Sequence, residues 1–423
     1  MTMNRRSALG LLGAIPVAAG AAALTGSAAA AAAAASSSSG SSSNDSTSWS
    51  GRIPAGLQPG GELDELVAEL AAADQFSGTL LVKRHGTTIL SRSYGMANKE
   101  ESVRNGKDTI FATASLTKLF TAVAVAHLAQ RGALRYTDLI GAYVDGLAPQ
   151  IAERVTLHDL LTHASGLGNY QSAPGYPEAA RGWSSAEEVM EGTLDFIRQL
   201  PVPELPPGAS MVYSNAGFHL LGLAVAKASD LSYHDYVRAN VFEPAGMAST
   251  DFYTMPEWLE DRRIARPYAK NDDGAWEDNI DDSLFIGTPA GDAHSTCADL
   301  DRFARALWGD DLLSPEFRDL TVGAKRPLPQ GGPPPEEQPE EPSPPSSSEA
   351  PAAPRLGYQA YGPIAGLADG QWSFGLGGGS IFGASASVEA YPETGWTWAI
   401  MSNYPEGTSE PITNLAKRLI SAG

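Results

Sequence analysis

The sequence predicts a mixed α/β domain, and three observations carry that prediction. Two hairpin signals mark a sheet: runs at 79–82 and 88–91 flank Arg84-His85-Gly86, and runs at 385–391 and 396–401 flank Pro392-Glu393-Thr394-Gly395. Helical apolar spacing at 63–73 and 412–420 supplies helices for one face of that sheet and brings the two ends of the domain together. The middle, at about 138–299, is richer in helices and loops.

The sheet and helices occupy 56–423, long enough to bury a sizeable core in one large domain or two interleaved ones, with no internal repeat. Ahead of them, Asn4-Arg5-Arg6-Ser7-Ala8-Leu9-Gly10 opens a weakly apolar Ala/Gly/Leu stretch, so residues 1–35 read as a twin-arginine export signal. That stretch is mostly alanine and glycine, weaker than the roughly 20 strongly apolar residues a membrane span needs, so no stable membrane anchor is expected. Residues 36–55 are Ser-rich and form a tether. A second biased stretch, 327–354, combines Pro, Ser and Glu, and reads as a disordered surface insertion between a helical region and the closing strands.

The lone Cys297 rules out an intrachain disulfide and lies far from the leader, which excludes a lipid anchor at its end. Acidic residues number 49 against 29 basic ones, and the net charge of -20 argues against nucleic acid or anionic surfaces as partners. Together these features predict a secreted or extracytoplasmic protein. His158 and His163 stand five apart, off the spacing of a zinc helix, so neither a metal nor another cofactor is expected. Nothing in the sequence sets the oligomeric state.

Ser115-Leu116-Thr117-Lys118 puts a hydroxyl and an amine one helical turn apart at the start of a buried helix, whose apolar run through Phe120, Val123, Ala124 and Leu128 ends at Gly132. A serine hydroxyl becomes a nucleophile when a base takes its proton, and a desolvated lysine of lowered pKa is such a base. No other lysine has a serine three residues before it. Tyr213-Ser214-Asn215 is the one Y-x-N in the chain and follows the turn Pro206-Pro207-Gly208, leading into a loop. Leu376-Gly377-Gly378-Gly379-Ser380 precedes the alternating run at 384–391, where glycines let a substrate lie against a strand backbone. Taken singly, these are solvated helix surface, loop packing and a flexible turn. Tyr170, Tyr176 and Trp183 follow Gly166-Leu167 and either line a cleft or pack their own loop.

In order and spacing these motifs resemble the serine β-lactamase and penicillin-binding protein superfamily, in the branch of class C β-lactamases, D-alanyl-D-alanine carboxypeptidases and related esterases. The likeness extends through Phe76-Ser77-Gly78-Thr79, Leu157-His158-Asp159-Leu160-Leu161-Thr162-His163 and Ser214-Asn215-Ala216-Gly217 to Met401-Ser402-Asn403-Tyr404. It implies a β-lactamase/transpeptidase-like fold, an antiparallel sheet covered by helices on both faces with a helical region, and a site between them. It also implies Ser115 as acylated nucleophile, Lys118 as general base, Tyr213 as proton carrier and Asn215 as an orienter of the substrate amide. The residues Gly377, Gly378 and Gly379 would bind substrate, with the Ser115 and Gly379 amides as oxyanion donors, and His158 and His163 would be structural.

One position departs from that pattern: Leu376 stands where the family places lysine or histidine. The expected function is therefore a serine hydrolase acting through an acyl-enzyme on a small-molecule or peptide ester or amide, of esterase or D-amino-acid peptidase type. The alternatives are a β-lactamase and a non-catalytic member that binds cell-wall peptides.

Overall fold

The structure, a computed structural model, describes residues 52–328 and 356–422. The segment expected to direct export, most of the Ser-rich tether and nearly all of the 327–354 insertion lie outside the described residues. Two expected boundaries move. The compact unit begins at Arg52 rather than 56, because Ile53 already packs on the core and Leu57, in the short helix Ala55–Leu57, is fully buried. Pro327 belongs to a strand, since Arg326–Pro327 pairs with Gln359 and Tyr358 at one edge of the sheet. An edge tolerates proline because the ladder asks no donor of its outer side.

In chain order the elements that shape the site are α1 (Glu62–Ala72), β1 (Gly78–Arg84), β2 (Thr87–Tyr94), α2 (Thr117–Gln130), α3 (Leu157–Leu161), α4 (Asn215–Ser229) and α5 (Cys297–Trp308). They are followed by β3 (Arg326–Pro327), β4 (Leu356–Gln359), β5 (Ile364–Ala368), β6 (Gln371–Ser380), β7 (Ala384–Tyr391), β8 (Trp396–Ser402) and α6 (Glu410–Ser421). The eight strands form one antiparallel sheet in the order β2-β1-β8-β7-β6-β5-β4-β3. Both expected hairpins are present. His85 and Gly86 turn the first with φ of 46° and 77°, the left-handed pair that a tight two-residue turn requires.

Alternation along the strands sends side chains to two cores. Leu80 and Val82 of β1, with Trp398 and Ile400 of β8, pack under Leu63 and Val67 of α1 and Ile412 and Ile420 of α6. Leu81, Ala399 and Met401 face the other way, into the larger core that holds Phe120 of α2 and Phe303 of α5. Helices thus cover both faces, and Arg418 of α6 is ion-paired with Glu62 of α1 at 2.7 Å where the domain's ends meet.

The helix expected from the Ser115 run is α2. Eleven of its 14 residues are buried, so it is enclosed on every side rather than along a single stripe. Phe120 meets Phe242 and Phe303 edge-on at 5.0 Å, fixing α2 between the sheet and the helical region. Among the described residues no helix is long and apolar enough to cross a membrane.

Candidate active site

Ser115 sits in a single helical turn, Ala114–Leu116, that leads directly into α2. Ala114 holds a φ of 44°, a left-handed conformation that costs a non-glycine residue energy and is kept only where surroundings enforce it. Those surroundings are a short segment at 288–293. The Asp292 amide donates to the Ala114 carbonyl (3.1 Å), the Thr113 amide to the Ala293 carbonyl (2.8 Å), and the Ala293 amide to Thr117 Oγ1 (3.0 Å). Thr117 Oγ1 in turn donates to the Ala114 carbonyl at 2.8 Å.

One turn beyond Ser115, as the second residue of α2, Lys118 is 1 % exposed and its Nζ donates to Ser115 Oγ at 3.0 Å and to the Ala290 carbonyl. Burial lowers its pKa to about 7, with the Asp292 carboxylate opposing the shift. A large fraction of Lys118 is then a neutral amine near pH 7, able to accept a proton. The Tyr213 and Phe218 rings flank the amine at 5.0 and 5.7 Å.

Tyr213 also reaches Ser115, its hydroxyl donating to Oγ at 2.7 Å. Burial pushes the Tyr213 hydroxyl upward from its usual value, Glu406 adds to the rise, and the bond to Ser115 opposes it. The segment is held by the start of α4. Ser214 caps the helix, accepting from the Gly217 amide at 2.9 Å, while its own amide donates to His163 Nδ1 at 3.2 Å. Burial first, and the Lys118 charge second, lower His163 to about 3, so its ring is a neutral acceptor. His158 bonds the Tyr361 hydroxyl at 2.8 Å. Both histidines are thus engaged in packing.

Asn215 is the first residue of α4 rather than part of a loop. Its amide donates to Asn169 Oδ1 at 2.8 Å and its side-chain Nδ2 donates to Gln171 Oε1. Gly377, Gly378 and Gly379 lie on β6 across the cleft. A Cβ at Gly378 would come within 2.5 Å of the Leu116 nitrogen and the Thr113 carbonyl, and one at Gly379 would collide with Glu406. Gly378 therefore lets β6 close on the nucleophile's turn, and Gly379 makes room for Glu406.

Ser115, Tyr213, Asn215 and the three glycines line one cleft of about 870 Å³, with Lys118 bonded beneath Ser115, so the structure brings every expected site residue together. Asn169, Gln171, Ser387 and Glu406 also line it and were not expected. Leu376 does not. It packs, partly buried, against the larger core. Tyr170 and Trp183 are packing residues, Tyr170 fully buried and Trp183 set against Gly192, while Tyr176 lines a neighbouring cavity.

A family model described as Beta-lactamase matches residues 63–422. The chain belongs to the beta-lactamase family. Within it, the chain is 30% identical over 275 residues to penicillin-binding protein 4* of Bacillus subtilis (strain 168), covering 62% of this chain and 59% of that protein. It is 33% identical over 196 residues to esterase EstB of Burkholderia gladioli, covering 44% and 49%. The matches thus span half to three-fifths of the length of these two relatives. A penicillin binding protein from Bacillus halodurans has a similar solved structure, with a TM-score of 0.68 at 25% identity over 83% of this chain and 99% of that one. D-amino acid amidase from Ochrobactrum anthropi SV3 shares the fold, with a TM-score of 0.64 at 20% identity over 85% and 98%. Family members of this fold are serine hydrolases, among them esterases, amidases and carboxypeptidases.

Proposed function

We propose that this family member is an active hydrolase that cleaves ester or amide bonds through an acyl-enzyme on Ser115. The observation that carries the reading is the convergence on Ser115 Oγ of Lys118 Nζ at 3.0 Å and the Tyr213 hydroxyl at 2.7 Å, with the lysine desolvated. Neutral Lys118 takes the hydroxyl proton as Oγ bonds to the substrate carbonyl carbon. The Ser115 and Gly379 amides receive the oxyanion. Tyr213 passes a proton to the leaving alcohol or amine as the carbonyl re-forms, and Lys118 returns one to Tyr213. Water, deprotonated by the same pair, then releases the acid. Asn215, braced by Gln171, orients the acyl portion of the substrate.

Position 376, where the family pattern places lysine or histidine, supplies no cation in this chain, which supports substrates without a carboxylate over penicillin-like ones. Relatives named as an esterase and a D-amino acid amidase are in keeping with that preference. The twin-arginine leader read in the sequence supports a site of action outside the cytoplasm. Intact-mass spectrometry after treatment with a fluorophosphonate probe tests the reading. One adduct is expected on the parent protein and none on Ser115→Ala. Absence of labelling on the parent would favour the non-catalytic, peptide-binding alternative, and efficient turnover of a cephalosporin would favour a β-lactamase.

A further inference from the structure

The active-site cleft does not end at its glycines. A groove of about 270 Å³ on the α6 side of the sheet shares Gly377 and Ser387 with it, and these two residues are cross-strand partners. Strand β5 pairs with β6 only from Gln371 to Gly375, so the edge of β6 is open from Leu376 to Ser380, and there the cleft passes from the face that meets Ser115 to the face that meets α6. Gly375, Gly377 and Gly379 alternate along β6 on that second face and leave a floor without side chains. One side of α6 forms the wall, with Glu410 and Thr413 in the cleft and Lys417 and Ser421 in the groove. From Glu410 to Ser421 the helix rises about 16 Å, enough for roughly five residues of extended chain.

Two buried polar atoms on this wall and floor make no hydrogen bond among the described residues. Ser421 is 6 % exposed, and its Oγ has no partner. Glu389 Oε1 accepts from the Ser373 hydroxyl at 2.6 Å, but Oε2 has only an ion partner, Lys417 at 3.2 Å, and no hydrogen bond. Buried polar atoms left in this state are costly, and a ligand that supplies the missing bonds recovers the cost. Glu389 and Lys417 are the only charged residues lining the groove, and they cancel. A neutral groove with a bare floor, an acceptor at Glu389 and a hydroxyl at Ser421 suits an extended peptide, whose N–H and C=O groups recur along its length. A hydrocarbon chain would leave both atoms unpaired.

The direction is set by Gln171. It braces Asn215 at the acyl end and also borders the neighbouring cavity with Ser380 and Ala384, beyond Gly379. The groove runs the other way along β6, toward Gly375, and so lies on the leaving-group side. Glu406 and Glu410 line the cleft on the way, and no lysine or arginine does, so a leaving group that ends there in a carboxylate is repelled while one that continues as a chain is not. We infer that the groove between β6 and α6 is a subsite for an uncharged peptide segment on the leaving-group side of the scissile bond, with Glu389 and Ser421 as its hydrogen-bond partners. The inference rests on Ser115 being the acylated residue.

Binding to the whole chain carrying Ser115→Ala tests it without any chemistry. Calorimetry compares three depsipeptides: acetyl-alanyl-lactyl amide, whose ester joins alanyl to lactyl; the same compound with four alanines added after lactyl; and the same compound with four alanines inserted between acetyl and alanyl. Each is made in the all-L and the all-D series. The compound extended after lactyl is expected to bind about tenfold or more tightly than the short one in at least one series, and the compound extended on the acyl side is not. Adding Ser421→Ala or Glu389→Gln should each reduce that gain by about threefold or more. Ser421→Ala removes a hydroxyl that has no partner in the free protein, so it should leave the melting temperature unchanged, and it serves if the glutamine variant does not fold. Equal affinities for the short and the leaving-side compounds in both series would overturn the inference, as would an equal gain from acyl-side extension or a gain that survives both substitutions. Fluorophosphonate labelling of Ser115 in the parent protein reports separately on whether the hydrolase reading stands.

Discussion

A Cβ on Gly378 would lie 2.7 Å from the Ser115 amide nitrogen, closer than any real Cβ contact allows. Strand β6 and the nucleophile's turn are therefore in backbone contact, and the oxyanion site depends on that approach. Gly378→Ala is expected to push the two apart by several tenths of an ångström. We expect kcat/KM for a neutral ester to fall by about 10²-fold or more, with a stability loss of about 1–3 kcal/mol from overpacking. A variant with unchanged kcat/KM would show that β6 does not position the reacting carbonyl.

Ser115, Lys118 and Tyr213 share one oxygen, so their contributions should not add. Ser115→Ala is expected to lower turnover by about 10⁴-fold, and Lys118→Ala within that serine variant should cost little more. The comparison is kcat on p-nitrophenyl acetate for the single and double variants. A further large loss in the double variant would mean that Lys118 acts independently of Ser115.

The pH profile follows from Lys118. Its amine titrates near 7 instead of its ordinary 10.5 because burial disfavours the cation. The base is available above that value, so kcat/KM should climb as pH rises through about 7 and level off beyond it. Stability has the same sign. Between about 7 and 10.5 the unfolded chain holds a proton at this position that the folded chain has released, so this group's contribution to stability rises with pH across that window and is lost as pH falls to about 7. A profile flat from pH 6 to 8 would remove Lys118 as the base.

Leu376 lies two residues before Gly378 on the same face of β6, opposite Val388. With no cation there, neutral short-chain esters should outpace cephalosporins and D-alanyl peptides in kcat/KM. Leu376→His should narrow that gap by adding a donor and partial positive charge beside the site. If the gap does not change, substrate carboxylates are governed from elsewhere.

Much of this was legible in the sequence, for identifiable reasons. The Ser115 helix announced itself through a long apolar run closed by a glycine, and the hairpins through alternating strands around Arg84-His85-Gly86 and Pro392-Glu393-Thr394-Gly395. The support at 288–293 was not legible, because it works through main-chain amides and carbonyls that leave no mark on residue type. Gln171 was passed over beside Tyr170. Polar loop residues carry no periodicity, and only its Asn215 partner, 44 positions away, reveals its use. The sequence leaves the aromatic loop residues open between cleft and packing, since bulk suits Tyr170 and Trp183 to either, and in the structure both pack. The domain's start at Arg52 was hidden by the serines before it, whose composition drew attention away from Ile53 and Leu57.

Strand β1 lies between β2 and β8, and α1 packs against α6, so the first-made strands, at one edge of the sheet, join the rest of it only through the last. A ribosome releases the chain from its amino end. Until β8 and α6 emerge, Leu80 and Val82 have only β2 beside them and only α1 as cover, and a hairpin with one open edge must wait through nearly the whole of synthesis. Contacts of such long sequence separation form slowly and leave sticky intermediates. Production of this protein should therefore be limited by chaperone protection of the nascent β1-β2 hairpin more than by the stability of the finished domain.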